Sequence, residues 1–151
     1  MYRNLVAASA LALGLAGCSI GISNGSSPHS EFKAPVAFKD AYATAIRQSR
    51  DCLRSSDNAY RVLANLDESA QSGVVQVLAP FSDNEMSRVE LKAAGAKSTD
   101  VRIVMWGKGT WDPAALRAMQ DAIYYSLVSC SSYMPLDPRP QVKPSRDLPA
   151  D

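Results

Sequence analysis

The chain of 151 residues carries 16 Lys and Arg against 15 Asp and Glu, a formal net charge of +1 at pH 7. So even a balance excludes the basic excess of a nucleic-acid binder, and it excludes recruitment to an anionic membrane by charge alone. Two cysteines far apart in sequence, Cys52 and Cys130, with a sole histidine, His29, in an expected linker are too few ligands for a zinc site in the domain, so neither metal nor cofactor is expected.

In chain order, the first feature is an uncharged apolar run, Leu5 to Leu15, behind the single positive charge of Arg3. As a helix it would span only roughly 16 Å, short of the 30 Å or so of a bilayer core. That layout is a secretory signal. The run ends in Leu15-Ala16-Gly17-Cys18, an aliphatic residue, two small residues and a cysteine. This stretch resembles the lipobox of bacterial lipoproteins. The resemblance implies a signal peptide over 1–17, cleavage before Cys18, and acylation of Cys18, with palmitate among the acyl groups. Several chains, at about 0.8 kcal/mol per buried methylene, make such an anchor effectively permanent. In that class an aspartate after the cysteine favours retention in the inner membrane. Here the residue is Ser19, which favours the outer membrane, facing the periplasm. Removing 1–17 deletes one charge, that of Arg3, and leaves enough chain for one domain.

Residues 18–36, rich in Gly, Ser, Asn and Pro, read as a flexible tether with an end-to-end distance near roughly 23 Å. A domain is expected over 37–134. Its first helix runs from Phe38 to Leu53, where Phe38, Ala41, Tyr42, Ala45, Ile46 and Cys52 make one apolar stripe. Four strands are predicted next, at 60–67, 73–81, 87–95 and 99–107, rich in β-branched residues or alternating apolar with polar. Their short, turn-rich connections favour an antiparallel meander. A second helix begins with Asp112 as N-cap and Pro113 at its first position, with Trp111 and Leu116 placed for a hydrophobic staple. Its apolar spacing continues through Cys130 to about Tyr133. Beyond it, Pro135, Pro138, Pro140, Pro144 and Pro149 mark 135–151 as a disordered or extended tail. The sum is an α+β two-layer domain, α-β-β-β-β-α, with both helices on one face of a four-stranded antiparallel sheet.

In an oxidising compartment Cys52 and Cys130 are expected to form a disulfide. Closing so long a loop contributes about 4 kcal/mol in the chain-entropy model. Both cysteines fall near the C-terminal ends of their predicted helices. Four strands in strict hairpins would set those helices antiparallel and hold the ends apart. The bridge then requires a steep helix crossing, a long connection at Ser55–Ala59, or only three full strands.

Motifs of catalysis are scarce. His29 lies in the predicted tether, so the domain lacks the usual base of a Ser-His or Cys-His system. No nucleophile elbow, dinucleotide loop or Walker loop is present. The stretch Trp106–Trp111, WGKGTW, reads as a strand-to-helix turn. Two acidic pairs, Asp67 with Glu68 and Asp83 with Glu85, sit in predicted turns. The sheet face away from the helices is the candidate partner surface, with Arg61, Leu63, Leu78, Arg102, Val104 and Trp106 as contact residues, since Trp and Arg concentrate at interface hot spots. The expected protein is a non-enzymatic, lipid-anchored binding or envelope-assembly module, held to the membrane through Cys18 and contacting an envelope protein. The alternatives are a glycan hydrolase using carboxylates, and a structural lipoprotein acting through its Pro-rich tail.

Overall fold

The computed structural model describes residues 20–131. The apolar run, Cys18 and the tail over 135–151 lie outside them. The described elements are β1 (His29–Ala34), α1 (Phe38–Cys52), β2 (Arg61–Asp67), β3 (Ser72–Leu78), β4 (Glu85–Gly95), β5 (Ser98–Met105) and α2 (Pro113–Tyr125). The sheet has five strands in the order β1-β5-β4-β3-β2, every pairing antiparallel.

The two-layer α+β class stands; the four-stranded sheet and the tether over 18–36 do not. The fifth strand comes from within the expected tether. Residues His29–Ala34 pair along their whole length with Thr99–Val104 of β5. The physical basis is a short two-residue period. Ser30 and Ala34 are buried and Phe32 packs against the core, while Glu31 and Lys33 face water. Pro28 and Pro35 bracket the strand, which prolines tolerate at a sheet edge. Upstream the chain is also built into the body: the Ile22 amide donates to the Glu85 carbonyl at 2.6 Å. The remaining strands fall close to their expected positions.

Both helices cover one face, α1 chiefly over β3 and β4 and α2 over β5 and β1. Between the layers lie Val75, Val77, Val89, Ile103, Leu116 and Ile123, all at or near zero exposure. Helix α2 starts as its sequence requires. The Asp112 carboxylate accepts from the Ala115 amide at 2.8 Å, Pro113 takes the first position, and Trp111 and Leu116 both join the core.

The end of α2 differs from expectation. The helix stops at Tyr125 rather than near Tyr133, because Ser126 adopts the left-handed conformation (φ 54°, ψ 33°) and reverses the chain. The Leu127 amide donates back to the Ala122 carbonyl at 3.0 Å, closing the helix. Cys130 is therefore not on a helical stripe. The helices are antiparallel, as four strands in three successive hairpins dictate, and the chain after Ser126 runs back beside α1. There the Gln48 side chain clasps Ser129, donating to its carbonyl at 2.5 Å and accepting from its amide at 3.0 Å. The next residue, Cys130, is bonded to Cys52, with Cα atoms 5.1 Å apart. A return segment brings the cysteines together, with no need of a steep helix crossing or a missing strand.

One close approach fixes α1 on the sheet. Gly73 of β3 faces the Tyr42 ring so closely that a Cβ there would lie 2.6 and 2.8 Å from two ring carbons. Substituting Gly73→Ala is expected to cost about 1–3 kcal/mol through overpacking. Urea denaturation of the full chain checks this; an unchanged midpoint would contradict the tight seating of Tyr42.

Candidate functional site

The sheet face away from the helices is built by period-two alternation. Register sets Glu31, Arg102, Glu90 and Val74 in one row across β1, β5, β4 and β3, and Lys33, Asp100, Lys92 and Ser72 in the next. Opposite charges meet along and between these rows. Lys33 pairs with Asp100 at 3.6 Å, Arg102 with Glu31 at 3.2 Å and with Glu90 at 3.5 Å, and Arg88 with Glu90 at 3.5 Å. Arg88 also binds Glu85, which accepts from the Gln76 amide at 2.6 Å. The result is a continuous polar ladder with both signs interleaved. The ladder's Glu31, Glu90 and Arg102 themselves line a shallow concavity of about 900 Å³ on this face, together with apolar Leu66 and Val74 and polar Asn65 and Ser72.

The six expected contact residues separate. Arg61, Leu63 and Arg102 stand in solvent, Leu63 at 40% exposure. Leu78 and Val104 do not, at 5% and 8% exposure. Val104 shares a polar cleft with residues 20–25, 27 and 29, so the N-terminal segment lies beside it. Trp106 has left the sheet: it is half-buried, 6.4 Å from Trp111 between ring centroids, with the Lys108 ammonium 6.0 Å from its ring. The open apolar patch expected from Leu78, Val104 and Trp106 is therefore not formed, and the face is a ladder of paired charges with Leu63 and Val74 as its apolar members. Glu31, Lys33 and Asp100 are the face residues that sequence reasoning missed, whereas alternation in β4 already places Glu90 outward. Their signal was the alternation of charge in HSEFKA and TDVRI, legible once β1 is recognised as a strand.

The acidic pairs weighed for glycan hydrolysis serve the turns. The Asp67 carboxylate accepts from the Ser69 hydroxyl at 2.6 Å and the Ala70 amide at 2.9 Å, and these bonds hold its pKa below the ordinary range. Asp83 pairs with Arg61 at 2.9 Å. Glu85 is held low by its hydrogen bond to Arg88, against the opposing effect of partial burial. A general acid needs its pKa raised, the reverse of the shifts at Asp67 and Glu85. Cys52 and Cys130 are joined in a disulfide, and Cys18 lies outside the described residues. Among the described residues no cluster of three or more His, Cys, Asp or Glu is arranged to hold a metal ion.

No protein-family model and no characterised protein matches this chain.

The Glu85–Arg88 pair generates a pH signature. Its folded pKa lies below the unfolded one, so the stabilisation is complete above the unfolded value and is lost as pH falls through the folded value. Glu85→Gln is expected to lower stability at pH 7 by about 0.5–1.5 kcal/mol and to flatten its decline between about pH 5 and pH 3. Urea midpoints across that window check it; parallel pH profiles for the two proteins would contradict the pairing.

Proposed function

We propose that this chain is a lipid-anchored lipoprotein of the bacterial cell envelope, serving as a binding or assembly module without catalysis. The observation that carries the reading is the run Leu15-Ala16-Gly17-Cys18 behind Arg3 and an uncharged segment. Ser19 directs the anchored chain to the outer membrane, with its domain in the periplasm. A disulfide between Cys52 and Cys130 suits that oxidising compartment.

The binding surface in this reading is the charged sheet face. Exposed ion pairs are individually worth only about 0–1 kcal/mol, so a partner bearing complementary charges can exchange them at little cost. The partner is an envelope protein with a mixed-charge surface, recognised through Glu31, Glu90, Asp100 and Arg102 and bordered by Leu63. The lowered pKa values of Asp67 and Glu85 weigh against hydrolysis by carboxylates.

The test is Cys18→Ser, with labelled palmitate supplied to the cells. The wild-type chain is expected to take up the label and fractionate with membranes. The variant is expected to take up none and to leave the membrane fraction on washing. Unlabelled wild-type protein, or a variant equally fixed to membranes, would contradict the proposal.

A further inference from the structure

We propose that one end of the domain, the end carrying the turn between β3 and β4, rests on the lipid bilayer, with Phe81 and Ile20 entering its interface. The inference rests on the anchored reading above and adds an orientation and a second membrane contact.

Length of chain comes first. Ile20 is two residues beyond Cys18, and two extended residues reach at most roughly 7 Å. At Gly21 and Ile22 the chain is already seated. A Cβ at Gly21 would meet the Glu85 carbonyl oxygen at 2.8 Å and the Asn84 Cβ at 3.3 Å, and the Ile22 amide is bonded to that same carbonyl. A lipid on Cys18 therefore brings the Asn84–Glu85 region close to the bilayer surface, where an 18-residue leash would have left the domain free to turn.

What stands at that place is apolar. The β3–β4 turn is closed by the Ala79 amide donating to the Asn84 carbonyl at 2.9 Å. At its tip Phe81 is fully exposed, and its φ is +56°. That conformation is costly for a bulky residue and natural for Gly or Asn. The fold gains nothing from the ring, which packs against nothing in the domain. An aromatic held in a strained turn and presented to solvent, beside an anchoring site, is accounted for by a surface that takes it up. Ile20, 54% exposed, adds aliphatic area. Half-buried Tyr60 and Trp106, with exposed Lys108, stand at the same end, because Arg61 is paired with Leu78 and Met105 with Ser87. Aromatic rings with a nearby Lys are the residue types of membrane–water interfaces. The occupant is thus a phospholipid surface.

The orientation has consequences. The β2–β3 and β4–β5 turns point away from the bilayer, and the charged face stands upright, open from the side. Ser131 shares a shallow pocket with Gly109, Thr110 and Asp112, so the chain leaves the described region at the bilayer end.

The experiment uses the full chain, purified from cells fed labelled palmitate and reconstituted in phosphatidylethanolamine–phosphatidylglycerol vesicles containing acyl-brominated lipid. Phe81→Trp reports at the near end and Ala96→Trp at the far turn, each read as the emission added to that of the wild type. The Phe81→Trp emission is expected to fall more than twofold, and that of Ala96→Trp to be unaffected. Labelled protein with an unquenched, solvent-like Phe81→Trp signal overturns the membrane contact alone. Equal quenching of both variants overturns the orientation. Unlabelled protein overturns the anchored reading, and the contact with it.

Discussion

The pairing of β1 with β5 is the constraint on which the rest of the arrangement depends. Without it β5 would be an edge and α2 would overhang the sheet, since α2 lies over both β5 and β1. With it, the outer face gains Glu31 and Lys33, and the ladder of charges runs from β1 through β4. The same pairing converts a segment that looks like a leash into part of the body. On the anchored reading this decides how the domain is carried. In that proposal a short stem at one end holds it close to the lipid, and its orientation would follow from the fold.

At the other end of the chain the Cys52–Cys130 bond and the Gln48 clasp on Ser129 act together. Hairpin topology sets α1 and α2 antiparallel, so their C-terminal ends lie at opposite ends of the sheet. The left-handed Ser126 turns the chain back, and the segment after it has few apolar contacts of its own: Leu127 is exposed and Val128 and Ser129 are half-buried. A crosslink and two hydrogen bonds from one buried side chain hold what packing alone would not. Gln48 is a polar residue buried at 1% exposure, and Ser129 satisfies both its donor and its acceptor.

Much of this was legible in the sequence. The helix start at Phe38 and the strands β2 to β5 follow from apolar periodicity, and the start at Pro113 from a capping residue whose chemistry is local. The disulfide followed from compartment and count. Strand β1 was hidden because a six-residue alternation is brief and lies between two prolines in a Ser- and Gly-rich stretch. The early stop of α2 was hidden because Ser126 takes a left-handed conformation without being Gly or Asn, while Leu127 and Cys130 continue the helical spacing. At the candidate face, alternation placed Arg61, Leu63 and Arg102 outward correctly. It failed for Val104 and Trp106, since burial there depends on the chain that follows or crosses the strand end. Leu78 failed at a register shift between Val77 and Leu78, where strict alternation no longer holds.

The claim at the centre is that the chain from Ile22 onward belongs to the folded body. Native-state amide hydrogen exchange over residues 29–34 tests it most directly. The account predicts that the hydrogen-bonded amides of this segment exchange many-fold more slowly than free peptide and are protected in step with their partners in β5. Exchange at the free-peptide rate throughout 29–34, with β4 and β3 still protected, would contradict it.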